Sequence, residues 1–180
     1  MRKFQIGVIG SMADLAYAQS FETIAEKVGE LIAEHDGILV FGAEKDADSL
    51  STSACRGAKR KGGLTVGITY GTDKHIREQD ADIIIPTGLE RGGGREFTLM
   101  LSCDAVIALS GGSGTLNEIT IAYQADIPVV AIRGLGGWGD KLADEYVDAR
   151  ERRKVIGADT PEEAVAAAFR EASAARQAVA

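Results

Sequence analysis

Apolar residues along this chain fall into two alternating patterns: short, nearly unbroken runs, and longer stretches in which they recur three and four positions apart. The first kind reads as buried strands, the second as helices with one face toward a core. Residues 4–9 form the first run, closed by Gly10 and Ser11. From about residue 16 to residue 35, Phe21, Ile24, Ala25, Val28, Leu31 and Ile32 keep helical spacing. Further strands are predicted at residues 38–41, 64–68, 83–85, 105–109 and 129–132, the strand at 83–85 being stopped by Pro86. Further helices are predicted over about 48–61, 95–102, 114–125 and 140–150. Val155 and Ile156 make a short last strand. Thr160-Pro161-Glu162-Glu163 then opens a helix that runs to about Arg176: Thr160 caps, Pro161 suits the first helical position and Glu163 completes a capping box. Residues 177–180 read as a frayed tail.

Strands alternating with helices imply an α/β fold. The expected form is a doubly wound (Rossmann-like), mostly parallel sheet of six or seven strands with helices on both faces. Right-handed crossovers put the loops that follow the strands on one edge, where such sheets bind ligands. A (β/α)8 barrel needs more chain than 180 residues, so residues 1–180 are expected to be one nucleotide-binding domain.

Charge narrows the partners. The net charge is −7 and no basic stripe is present, which argues against nucleic acid and acidic membrane surfaces. A small anion stays compatible, because backbone N–H groups hold anions without net positive charge. Cys55 and Cys103 have no metal-ligand spacing around them and read as reduced thiols, so no metal is expected. The first apolar run is too short for a signal peptide, and no run approaches the ~18 residues of a membrane span. A cytoplasmic location is the expectation.

The strongest chemical signal is the passage from strand 105–109 into Ser110-Gly111-Gly112-Ser113-Gly114-Thr115 and the following helix. Glycine lets the backbone turn sharply and approach a ligand, and a helix start offers unpaired N–H groups at a positive dipole end. Phosphate binding by Gly111, Gly112, Ser113, Gly114 and Thr115 is therefore expected, although neither Gly-Lys-Ser/Thr nor Gly-x-Gly-x-x-Gly is present. Glu118 shares a helix face with Gly114 and Thr115. It either supports the helix dipole or serves a neutral or cationic part of the ligand as a general base or oxocarbenium stabiliser. Arg95, after Gly92-Gly93-Gly94, is a cation at a helix start, which suggests an anionic partner: a ligand phosphate or Glu118. Gly94 belongs to the same loop, and Gly10 and Ser11 can add N–H donors from the first loop. The segment at residues 42–48 and Arg91 read as solvated surface, as do His35 and His75. Trp138, among glycines after the sixth strand, stacks on a ring or packs a partner copy; the sequence leaves both open.

These residues resemble the LOG (lonely guy) superfamily, whose members often carry a "possible lysine decarboxylase" label. The nearest branch is that of Rossmann-like nucleotide-binding proteins related to the molybdenum cofactor carrier protein and, more distantly, DprA/Smf. Residues 6–10, 62–68, 85–88 and 104–130 carry the likeness. The resemblance implies a homodimer and a phosphoribohydrolase site cleaving the N-glycosidic bond of nucleoside 5′-monophosphates. The family arginine falls on Arg95, its glutamate on Glu118 and its phosphate loop on Gly111, Gly112, Gly114 and Thr115. The family's lysine is Glu96 here, its proline is Ser110, and residues 42–50 replace a methionine-containing loop. The carrier branch shares the phosphate loop and implies binding without turnover. The expectation is thus a binder of a small phosphorylated ligand, a nucleotide or pterin phosphate, with no required cofactor. Phosphoribohydrolysis and a catalytically silent regulatory or scaffold domain are the alternatives. No lysine sits in a pyridoxal-phosphate setting, so the decarboxylase label finds no support.

Overall fold

A computed structural model describes residues 2–79 and 81–178. The strands are β1 (Gln5–Gly10), β2 (Ile38–Gly42), β3 (Leu64–Thr69), β4 (Ile83–Pro86), β5 (Ala105–Leu109), β6 (Val129–Ile132) and β7 (Ile156–Ala158). All their pairings are parallel, in the order β4-β3-β2-β1-β5-β6-β7. The order reverses between β1 and β5, so the loops leaving these two strands part in opposite directions and open a crevice at their carboxyl ends. The pair is in register with Gly10 opposite Leu109, which sets the two loops side by side.

Side-chain alternation divides the core in two. Ile6, Val8, Leu39, Phe41, Ile107 and Leu109 face α1 (Gln19–Glu34), α2 (Leu50–Arg60) and α6 (Pro161–Ala178). Ile9, Val40, Ile68, Val106 and Ala108 face α3 (Gly94–Leu101) and α4 (Ser113–Gln124). Every residue of β5 is buried, as a central strand covered on both faces requires. No described helix is long and apolar enough to cross a membrane.

Two predicted helices are corrected. The first starts at Gln19 rather than residue 16, because residues Ala13–Leu15 form a 3-10 turn that Ala16 ends at φ 50°. The helix expected at residues 140–150 is instead a short α5 (Gly137–Leu142) followed by turns. Asp144 stops it at φ 65°: its carboxylate accepts from the Gly157 amide at 3.0 Å and pairs with Arg133, a tertiary anchor that outweighs one more helical turn. At α6, Thr160 accepts from the Glu163 amide as expected, but Glu163 reaches back to the Asp159 amide rather than to Thr160. Residues 177 and 178, expected to fray, continue α6, and the last two residues of that tail lie outside the described ones.

Helices α1 and α2 meet backbone to backbone. A Cβ on Gly29 would strike the Ala54 carbonyl, and one on Gly57 the Glu26 carbonyl. This closeness holds the start of α2, and with it the β2–α2 loop, against the crevice. Gly57→Ala forces the helices apart and is expected to cost roughly 1–3 kcal/mol. A urea titration checks it: the midpoint falls while the slope stays that of the parent.

Candidate functional site

The crevice is built from the β5–α4 turn. Ser110 takes φ 61° and Gly111 φ 106°, and a side chain on Gly111 would collide with Thr115. The β1 loop locks this turn from behind. Ser11 Oγ donates to Ser110 Oγ at 3.0 Å and accepts from the Gly111 amide at 2.9 Å. The start of α5 ties it from the other side, with the Trp138 amide on the Gly111 carbonyl at 2.8 Å and the Gly139 amide on Ser110 at 2.9 Å. The amides of Gly112, Ser113, Gly114 and Thr115 are left without an acceptor among the described residues, and no side chain caps α4. A helix start in this state presents N–H groups and a positive dipole end to whatever lies above it.

A cleft of about 200 Å³ lies there. It is lined by Gly10, Gly112, Ser113, Gly114, Thr115, Arg95 and Glu118, together with Glu44 and Gly42 from the end of β2. Three residues expected at the site do not reach it. Ser11 and Gly111 sit behind the turn and hold its shape. Gly94 is small because Leu89 packs against it.

Arg95 is buried and already engaged. Its Nε donates to Glu96 Oε1 at 3.1 Å, and its Nη2 lies 3.0 Å from the same oxygen and 3.3 Å from Glu44 Oε1. A side chain on Gly42 would run into the guanidinium. Glu96 also accepts from the Gly93 amide at 2.8 Å, so this residue caps α3 and anchors Arg95. Glu44, expected to be solvated, is 5% exposed, and its second oxygen lies 2.9 Å from Arg91 Nη2. That oxygen has no hydrogen bond of good geometry. Arg91 in turn stacks on Tyr70, its guanidinium 4.3 Å from the ring centroid. The sequence offered one signal for Glu44: it follows Gly42 at the carboxyl end of a strand, on the ligand edge.

Glu118 is 7% exposed, and only charges at a distance act on it. Burial raises its pKa to about 8; Arg95 pulls the other way, and Glu96 and Glu44 reinforce the rise. Burial opposes the charge on Arg95, but Glu44, Glu118 and Glu96 raise its pKa above the ordinary value. Burial also pushes the Glu96 carboxyl up, and Arg95 and the backbone amides around it bring it below the usual range. Arg95 and Arg91 thus face Glu44, Glu96 and Glu118, and the exposed Asp46 lies 3.7 Å from Arg91.

Comparison with known proteins places this geometry. Residues 3–165 match the model of the SLOG cluster4 family. A protein of Archaeoglobus fulgidus is 37% identical over 133 residues, 74% of this chain and 82% of that protein. The molybdenum cofactor binding protein of Rippkaea orientalis superposes with a TM-score of 0.79 at 30% identity, covering 94% of this chain and 98% of that one. The molybdenum cofactor carrier protein of Chlamydomonas reinhardtii does so with a TM-score of 0.79 at 30% identity, covering 96% and 99%.

The state of Glu118 has a measurable consequence for stability. In the unfolded chain the carboxyl ionises near pH ~4.3, while in the fold it keeps its proton to about pH 8. Between these limits the folded state holds the extra proton, so stability falls as pH rises. Glu118→Gln removes this slope. The variant is expected to gain stability over the parent steadily from about pH 5 to pH 8. Urea unfolding at a series of pH values reads it, and parallel curves for the two proteins would contradict a protonated Glu118.

Proposed function

The chain belongs to the SLOG cluster4 family, and from that membership and its cleft we propose that it binds a nucleotide-like phosphorylated ligand of the pterin-phosphate class. The carrying observation is the set of four unpartnered amides, from Gly112 to Thr115, at the mouth of α4. Oriented amides hold a phosphate oxyanion without a compensating lysine, which suits a protein of net charge −7. The likeness to a molybdenum cofactor binding protein and a carrier protein supports a pterin as the ring and retention rather than turnover as the activity. Any metal would arrive with the cargo: the described residues hold no cluster of metal ligands.

Glu118 fits this role because burial raises its pKa to about 8, which favours the neutral carboxyl near neutral pH. An ionised carboxylate beside a phosphate would repel it, whereas a neutral carboxyl donates one hydrogen bond and accepts others. Arg95, held by Glu44 and Glu96, acts as a fixed positive charge in the cleft rather than as a clamp that swings onto the ligand. The apolar outer positions Phe97 and Leu101 of α3, one turn apart and both more than half exposed, favour association of two copies.

The raised pKa of Glu118 favours a second reading, hydrolysis of the N-glycosidic bond of a nucleoside monophosphate, since a proton donor with a pKa near neutrality suits that leaving group. Release of free base from guanosine or adenosine monophosphate, lost in Glu118→Gln with affinity kept, would establish it; tight binding without release favours the carrier.

The amides themselves are tested by Gly114→Asp. A Cβ there meets nothing within 4 Å, so the fold accepts the side chain. An acid in the first turn steadies α4 by a few tenths to ~1 kcal/mol, while its charge opposes the phosphate. The expected result is unchanged or higher stability with at least a tenfold loss of affinity for guanosine monophosphate in calorimetry. Thermal shift gives the same answer for the parent, where ligand at ~100 times its dissociation constant adds ~2.7 kcal/mol. Affinity equal to the parent's would remove the amides from the site.

A further inference from the structure

Behind the glycine turn lies a second, wider cleft of about 380 Å³. Its character differs from the first. Tyr17, Phe21, Leu135 and Trp138 supply aromatic and apolar walls, and Lys141 is its cation, with Nζ 4.8 Å from the centre of the Trp138 ring. Gly112 and Leu15 line both clefts. Leu15 stands over the bare Cα of Gly112 and is 53% exposed, so one mobile-ended apolar side chain on a 3-10 turn divides the two spaces.

Trp138 is fixed relative to the amides of α4. Gly137 has φ 67°, and a Cβ on it would come within 2.7 Å of the Ser110 and Gly111 backbone, so only glycine lets this segment lie flat on the turn. The next amide, that of Trp138, then bonds to the Gly111 carbonyl. The glycines around Trp138 thus hold its indole close beside the turn that carries the α4 amides.

We propose that the ligand is a dinucleotide, with its bridging phosphates on the amides of Gly112 to Thr115, one ring in the first cleft and the second ring stacked on Trp138 in the second. This rests on the reading of the first cleft as a phosphate site. Two observations extend it. The first cleft alone, at about 200 Å³, is smaller than the ~300 Å³ at which ligand pockets begin, and the two together exceed that size. The amides stand between two spaces that suit rings in different ways, one by hydrogen bonding to carboxyls and the other by stacking. A mononucleotide fills one side and leaves the other to water. Lys141, exposed and flexible, leaves the indole face as the ring enters and meets the second phosphate charge.

Trp138 is the sole tryptophan of the chain, so its emission reports this cleft alone. The full-length protein is titrated with P1,P2-di(guanosine 5′) diphosphate, guanosine monophosphate and ribose 5-phosphate, following fluorescence and calorimetry in parallel. The dinucleotide is expected to bind at least tenfold more tightly than the monophosphate and to quench Trp138. Ribose 5-phosphate binds without changing the emission. Trp138→Leu lowers dinucleotide affinity to that of the monophosphate, Trp138→Phe keeps most of it, and both leave ribose 5-phosphate binding intact. Lys141→Ala, on an exposed position, weakens the dinucleotide severalfold and serves if the tryptophan variants fold poorly. Equal affinity for dinucleotide and monophosphate, or a bound dinucleotide with unquenched emission, overturns the proposal while ribose 5-phosphate binding keeps the phosphate site. Loss of all three ligands overturns both.

Discussion

Four amides at the start of α4 find no acceptor among the described residues, and the rest of the site is arranged around that deficit. The strand order creates it. Where β1 and β5 lie side by side and their crossovers run in opposite directions, the connection after β1 reaches the helix that follows β5 only with the apolar Leu15 over Gly112, which offers its amides no acceptor. Such a helix start must be met by water, a cap or a ligand. This chain has removed the cap: Gly112 stands at the capping position, where a serine or aspartate would satisfy an N–H internally. It has also spent its polar groups elsewhere. Ser11 satisfies Gly111, and the carbonyls of Ser110 and Gly111 are used by α5, so the turn is rigid on its inner side and unsatisfied only on its outer side.

Electrostatics on the other wall follows from burial. Arg95 cannot be taken from water without carboxylates beside it, and Glu44 and Glu96 supply them. Glu118 lies near the same arginine but forms no ion pair among the described residues, and burial, with the neighbouring acids, raises its pKa to about 8. The cleft therefore joins a positive helix end to a wall where Arg95 is held by Glu44 and Glu96 and the Glu118 carboxyl is raised toward its neutral form, with Asp14 also lining it.

Much of this was legible in the sequence. Each unbroken apolar run became a parallel strand; at the centre of the sheet this follows because strands covered on both faces have no polar side, whereas the edge strand β4 leaves Ile83 and Ile85 exposed. The glycine turn was legible because its backbone needs are local: positive φ at Gly111 and an open start to α4. Long-range pairings were not. The burial of Glu44 depends on Arg95 and Arg91, some fifty residues away, and an acid after a strand reads as solvated loop until those partners are known. Ser11 was expected to face a ligand and instead braces Ser110 across a separation of 99 residues. The false helix after α5 fails for the same reason, since Asp144 obeys Arg133 and Gly157 rather than its own neighbours.

Glu96, where the resemblance to LOG proteins implies a lysine, also changes meaning once its contacts are known. A lysine there would add a cation beside Arg95 and leave both free for a ligand. Glu96 does the opposite: it takes the Arg95 guanidinium and the Gly93 amide for itself. A second acid, Glu44, then needs a cation of its own, and Arg91 provides it while resting on Tyr70. Glu96, Arg95, Glu44, Arg91 and Tyr70 thus form one chain of contacts in which both guanidinium groups are engaged. Under the proposed reading, such a chain withholds the mobile cations that would stabilise charge developing during bond cleavage, which favours keeping a ligand over converting it.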